Sequence, residues 1–288
     1  MNEPAPRLRH VASDLGFSAS DDVVVVLALA PAASAGELVS ERLDVTSDGT
    51  GPAPSVSELA GLDGSRTHVV RAGAGELLIS YAATVRAAAP PPVCSPGTDP
   101  EEIAGGLVDA DAILALRQSR FCPSDALAGF AAREFADLEP GADIARSVAD
   151  WVFERFAYEP GSSGPLDTAV DTLLAGVGVC RDFAHLTIAL CRSLGVPARL
   201  AAVYAPGLSP MDFHAVVEVR RGARWEVHDP TRLAPRSSLV RISTGRDAAD
   251  TAFATTLHGT IELTTQSVFA VVDGDLPLDD HVEPVGLA

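Results

Sequence analysis

The stretch GVGVCRDFAHLTIALCRSLGVPAR, residues 176–199, constrains the fold more than any other. Phe183, Leu186, Leu190, Cys191 and Leu194 recur at i, i+3, i+7, i+8 and i+11, the apolar stripe of a helix with one buried face. Gly195 and Pro197 end that helix. The Gly176-Val177-Gly178 turn ahead of it puts Cys180 at its amino terminus. From Ala198 onward the period drops to two, in RLAAVY, FHAVVEVR and RWEVHD, which reads as strands. Helices first and strands after point to an α+β core.

The rest of the chain extends this pattern. Val23 to Leu29 is a short apolar run of the buried-strand kind, and Gly75 to Val85 is a second strand candidate, with turn residues 48–52 between them. Pro-rich residues 89–97 mark a boundary near 90–100. Beyond it, Asp99-Pro100-Glu101-Glu102 resembles a helix start. Ile144, Val148, Trp151 and Val152 share one helical face, which fades near Pro160. Thr168 and Asp171 form a capping-box pattern, with Gly176 as the stop. The expectation is an α+β protein: a β-rich leader over 1–90, a core over 100–260 and a C-terminal extension over 261–288.

Composition removes whole classes of function. All 21 basic residues are Arg, against 39 Asp and Glu, for a formal net charge of −18. Without Lys there is no phosphate-binding loop ending in Gly-Lys-Ser/Thr, no pyridoxal Schiff base and no kinase lysine. So acidic a chain is also not expected to bind nucleic acid. The cysteines, at 94, 122, 180 and 191, contain no Cys-x-x-Cys pair and build no disulfide framework. No clear ligand cluster suggests a metal or organic cofactor. Residues 1–14 lack an apolar signal core, and the Val23–Ala33 run is too short to span a bilayer. A cytoplasmic protein with free thiols is expected, with no membrane partner; the oligomeric state is open.

Cys180 is the first candidate for chemistry. At a helix amino terminus the dipole and free amides favour a thiolate, and the same amides can hold an oxyanion. Position alone leaves a second reading open, because many cysteines are simply small buried hydrophobes. Cys191, on the apolar stripe, reads as core packing, and Cys94 and Cys122 have no evident partner. A thiol nucleophile needs an imidazole, and the imidazole an orienting carboxylate. His214 and Asp229 offer that pair on two strands joined at Arg221-Gly222. A two-residue loop there sets them directly opposite one another, while a longer loop offsets them diagonally. Ala215, Val217 and Val219 then face a core. His185 lies roughly 140° around the helix from Cys180 and is expected to be solvated or capping. Asp182 reads as a first-turn dipole partner, Asp212 as a strand-entry residue, and His10, His68, His258 and His281 have no partners worth naming.

These motifs resemble the bacterial transglutaminase-like family, whose core is papain-like. The resemblance rests on GVGVCRDFAHLTIALCRSLGVPAR, DFHAVVEV and HDPT, with weaker echoes at 119–125, 156–164 and 245–253. It implies a papain-like α+β core, helices on an antiparallel sheet, behind an amino-terminal β domain. It also implies Cys180 as nucleophile, His214 as base and Asp229 as orienting acid. The expected activity is acyl transfer from a peptide or amide through a thioester, to water or to an amine, with a lean towards hydrolysis. Gln–Lys self-cross-linking is not expected without Lys. Family members often carry Trp two residues after the histidine; Val216 stands there and is expected to alter one wall of the cleft. Two alternatives share the site: an arylamine acetyltransferase loaded from coenzyme A, and a catalytically silent binding module.

Overall fold

The computed structural model describes residues 7–49, 51–61, 64–87, 109–139, 142–222 and 224–287. Strands β1 (Leu8–Ala19), β2 (Val23–Leu27), β3 (Gly36–Ser47), β4 (Ser55–Ala60), β5 (Arg66–Ala72) and β6 (Gly75–Ala87) form the leader. Helices α1 (Ala110–Leu116), α2 (Ser124–Glu134) and α3 (Ile144–Arg155) follow, then β7 (Ala157–Tyr158), α4 (Ala169–Ala175), β8 (Val177–Gly178) and α5 (Cys180–Ser193). The chain continues through β9 (Ala198–Tyr204), β10 (Phe213–Arg221), β11 (Arg224–His228), β12 (Val240–Gly245) and α6 (Ala248–Thr251). It closes with β13 (Ala254–His258) and β14 (Ile261–Val272). The fold is α+β, as expected. The Pro-rich boundary and the expected helix start at 99–102 lie outside the described residues, as does Cys94.

Among the described residues, three antiparallel four-stranded sheets carry the architecture, ordered β14-β1-β6-β3, β13-β2-β5-β4 and β11-β10-β9-β12, with β7 and β8 as a small parallel pair. The first two enclose one core: Leu15 and Phe17 of β1 and Ile79 of β6 meet Val25 and Leu27 of β2 and Val70 of β5. Tyr204, Val240 and Ile242 belong to the same cluster, so the leader and the third sheet share apolar packing. The Tyr204 hydroxyl donates to the Leu29 carbonyl at 2.9 Å. Buried Arg9 donates to the carbonyls of Leu239 and Ser237 at 2.7 and 2.8 Å. These bonds satisfy polar groups that would be costly to bury alone.

The residues expected to form an extension begin with a strand of the leader itself. β14 pairs with β1 from Arg9↔Val272 to Ala19↔Ile261, and β13 covers the edge of β2. Among the described residues of the first ninety, β1 and β2 each have a strand on one side only. Their second edges are unpaired N–H and C=O groups that the returning chain satisfies. β1 itself was hidden by the mixed composition of residues 1–14, yet its alternation buries Val11, Ser13, Leu15 and Phe17.

The helical expectations that fall on described residues hold. The α3 face of Val148 and Val152 is fully buried, with Asp143 capping the helix through the Arg146 N–H. At α4 the Thr168 N–H donates to Asp171 Oδ2 at 2.8 Å, and Gly176 ends the helix at φ 73°, a conformation glycine adopts without strain. Along α5, Phe183, Leu186, Leu190 and Cys191 are buried against Leu200, Ala215, Val217 and Val219. Truncating a leucine in such a face typically costs about 2–5 kcal/mol.

Candidate active site

Cys180 is the first residue of α5 and is partly exposed, whereas Cys191 and Cys122 are fully buried. Burial pushes both of those thiols up to about 12, so they are inert packing groups. Local bonds fix the start of α5. Asp182 Oδ2 accepts the Val179 N–H at 2.9 Å, while its other oxygen holds the Arg181 guanidinium at 3.1 Å. Asp182 is thus the first-turn partner its position predicts. Gly178 makes this turn possible, because a Cβ there would lie 2.8 Å from that of Asp182. β7 pairs Tyr158 with Gly178. The Tyr158 phenol is raised to about 12, first by burial and then by the charges of Cys180 and Asp212.

The β10–β11 hairpin turns one residue later than the sequence suggests. Arg221 pairs with Arg224 and Val217 with His228, so Arg221 still belongs to β10 and the turn begins at Gly222. His214 and Asp229 are therefore not directly opposite. Asp229 follows the last β11 pair and stands diagonally from His214, on the same face by strand alternation. The imidazole spans that offset: His214 Nε2 lies 2.9 Å from Asp229 Oδ2. The other carboxylate oxygen accepts the Thr231 N–H at 2.9 Å and its hydroxyl at 2.7 Å. Thr231 had no role in the sequence reading, though the fourth residue of HDPT was its signal: an Asp side chain commonly takes the N–H two residues on.

Electrostatics follow from this wiring. Burial alone would lower His214, but the Asp229 charge, the hydrogen bond to Asp229 and the nearby Cys180 thiol outweigh it and raise the ring above its ordinary value. Burial would raise Asp229, and the His214 charge with the bonds from His214 and Thr231 holds it below the usual carboxylate range. His214 Nδ1 is buried without a hydrogen-bond partner. Nε2 being committed to Asp229, Nδ1 is the free nitrogen, and Cys180 lines the same cavity as the ring. Thiol–imidazole contacts of unliganded sites are often loose and tighten on binding.

That cavity measures about 500 Å³. Its wall brings together segments far apart in sequence. Phe121, from the echo at 119–125, donates its N–H to Asp247 Oδ2 at 2.8 Å, in the echo at 245–253. His185 lies beneath this clasp, stacked on Phe121 at 5.2 Å between centroids, and its Nε2 accepts the Ala248 N–H at 3.1 Å. His185 is therefore buried rather than solvated, although it does cap α6. Burial lowers it to about 4. Val216 corrects a second expectation: it packs with Val203 and Val227 and does not line the cavity. Asp212 accepts the Phe213 N–H at 2.7 Å and a hydrogen bond from Gln266 of β14 at 2.6 Å. The histidines expected to lack partners are in part engaged: His10 lies 3.1 Å from Thr84 Oγ1 and 3.0 Å from Asp273, and His68 lies 3.5 Å from Glu58.

Among the described residues, no group of three or more His, Cys, Asp or Glu is placed to hold a metal, and no helix is long and apolar enough to cross a membrane.

Known proteins share these features. Residues 130–230, from α2 through the Asp229-Pro230 turn, match the model of the transglutaminase-like superfamily. An uncharacterized protein of Mycobacterium leprae is 31% identical over 119 residues, 37% of this chain and 41% of that protein. Uncharacterized proteins of Mycobacterium tuberculosis are 36% identical over 89 residues, 31% of this chain and 27% of theirs. The chain thus spans less than half the length of these curated relatives. The crystal structure of a proposed cysteine protease from Cytophaga hutchinsonii is 31% identical and superposes over 99% of both chains with a TM-score of 0.84. Likeness of that extent takes in the leader sheets as well as the helix, hairpin and cavity between them, and the chain belongs to the transglutaminase-like superfamily.

Proposed function

We propose that the protein is a thiol acyl-transfer enzyme that opens an amide or peptide bond, with water as its main acceptor. The supporting observation is the buried His214, bonded to Asp229 through Nε2 and sharing the cavity wall with Cys180 through its other side. In this reading the thiol proton already rests on His214 Nδ1, and the Cys180 Sγ thiolate adds to the carbonyl carbon. The amide N–H groups at the start of α5 steady the oxyanion. The C–N bond then breaks, His214 gives the proton to the leaving nitrogen, and a thioester on Cys180 remains. Water adds to the thioester and yields a proton to His214. The C–S bond breaks, releasing a carboxylic acid and restoring the Cys180 thiolate beside protonated His214. Asp229 keeps the ring oriented and offsets its charge throughout. An amine replaces water wherever it reaches the thioester first.

The test is the rate of iodoacetamide alkylation against pH, mapped by residue. Cys180 is expected to be alkylated faster at pH 6 than free cysteine, and His214→Ala to remove that advantage. Alkylation no faster than that of an ordinary thiol, in wild type and variant alike, overturns the assignment. With a turned-over peptide in hand, the split between acid and amide products in added amine measures the acceptor.

A further inference from the structure

The cavity beside Cys180 is built for a particular kind of chain. We infer that it receives the acyl group of the substrate and selects an apolar group on a neutral or anionic chain, excluding cations; this rests on Cys180 as the nucleophile. A volume of about 500 Å³ lies within the roughly 300–1,000 Å³ usual for small-molecule pockets. Cys180 is in its wall, so a chain bonded to Sγ has this space to enter. Phe213, Phe253, Leu200 and Ile242 give apolar surface, and the small Ala28 and Ala202 leave it open.

Charge gives the second argument. The protein carries 39 Asp and Glu, yet no Asp or Glu stands among the described residues that line the cavity, while Arg120 and Arg181 do. The Arg181 guanidinium is engaged by Ser163, Gly164 and Asp182. Arg120 is exposed, and its guanidinium lies 5.2 Å from the Phe121 ring centroid. A cation in this space would meet like charge and lose its hydration without a carboxylate to replace it. An apolar group would lose only unfavourable contact with water.

The third argument is the origin of the wall. Ala28 immediately follows β2, Phe253 immediately precedes β13 and Thr255 lies in β13, so this part of the wall hangs on strands of the leader's second sheet. The leader therefore belongs to the specificity of the site as well as to the stability of the fold. Phe213, next to His214, stacks on Phe253 at 5.1 Å between ring centroids, which ties the wall to the imidazole's strand.

Four alkylating reagents with one warhead test this on the full chain: iodoacetamide, its N-benzyl and N-(2-trimethylammonioethyl) derivatives, and iodoacetate. Each Cys180 rate is divided by that reagent's rate with free cysteine. The benzyl reagent is expected about tenfold above iodoacetamide and the cationic one about tenfold below it. Ala249→Trp, at an exposed position of the wall, should bring the benzyl ratio towards 1. Arg120→Gln should lower the iodoacetate ratio by about twofold to threefold, a modest effect because the site is open to salt. Equal normalised rates for benzyl and cationic tails overturn the inference. So does a benzyl preference untouched by both Ala249→Trp and Phe253→Ala. The ratios cancel the intrinsic reactivity of the thiol, so they stay readable even if the His214→Ala comparison refutes the nucleophile. The two failures are thereby distinct.

Discussion

His214 and His185 are both buried imidazoles near one cavity, 2% and 0% exposed, and their pKa values are shifted in opposite directions. Desolvation pushes each towards neutrality. His214 has a carboxylate on Nε2 and a thiol nearby, and these hold its proton. His185 has an aromatic ring against its face and a backbone N–H on Nε2, a donor that only the neutral ring can accept. The partner, and not burial, decides whether a ring at this depth is a proton carrier or a structural wedge. A carboxylate-bonded ring facing a thiol is suited to proton transfer; a ring that accepts a peptide N–H is suited to fixing the segment that walls the cavity.

The strongest way to break the contrast is to remove the carboxylate. Asp229→Ala leaves His214 buried without its counter-charge and is expected to cost about 3–5 kcal/mol, read as a fall in urea midpoint with unchanged slope. The near-isosteric Asp229→Asn should keep the fold and make His214 behave more like His185. Cys180 alkylation at pH 6 should then fall by about tenfold to a hundredfold.

A smaller effect is expected on the other side. His185→Leu fills similar space but leaves the Ala248 N–H without its acceptor, and should cost about 1–3 kcal/mol. Its alkylation loss should stay well below that of Asp229→Asn; an equal loss would mean that His185 also acts on the thiol's proton. Smaller again is Thr231→Val, which removes one hydroxyl donor to Asp229 while keeping the backbone N–H, at about 1 kcal/mol.

The two rings also predict opposite limbs of a pH profile. His214 is raised above its ordinary 6.5, so the folded state favours its protonated form. That contribution is complete below pH 6.5 and is lost as pH rises through the raised value. His185 is lowered from 6.5 to about 4; its contribution is complete above pH 6.5 and is lost as pH falls towards 4. Urea midpoints should therefore decline on both sides, with Asp229→Asn flattening the alkaline limb and His185→Leu part of the acid limb. Side-chain resonances followed by NMR check the assignment directly: at pH 7 His214 should be protonated and His185 neutral.

Sequence exposed what depends on near neighbours. The apolar stripe of α5, its start at Cys180, the Thr168–Asp171 cap and the stop at Gly176 all follow from residues within a turn or two. The His214–Asp229 proximity was also legible, because one hairpin carries both. Its register was not: Gly222 adopts φ 56° as the first loop residue, but as a glycine it suits either position of a two-residue turn. The burial of His185 was illegible for a different reason. Its angle on α5 is fixed by sequence, whereas its cover comes from Phe121 and Ala248, each more than sixty positions away. Val216 shows the same limit: alternation separates it from Ala215 and Val217, but which face borders the cavity depends on where α5 and the leader pack.

The return of β14 to β1 bears on how the protein is made. Strand β6 ends at Ala87 and β14 starts at Ile261, about 170 residues and roughly 10–35 s of synthesis later at 5–20 residues per second. Through that interval the nascent chain holds β1 with an open edge, and β2 waits in the same way for β13. Either edge is a template for another chain's strand until the last part leaves the ribosome. The leader emerges first but is completed last, its two open edges being satisfied only once β13 and β14 have been made.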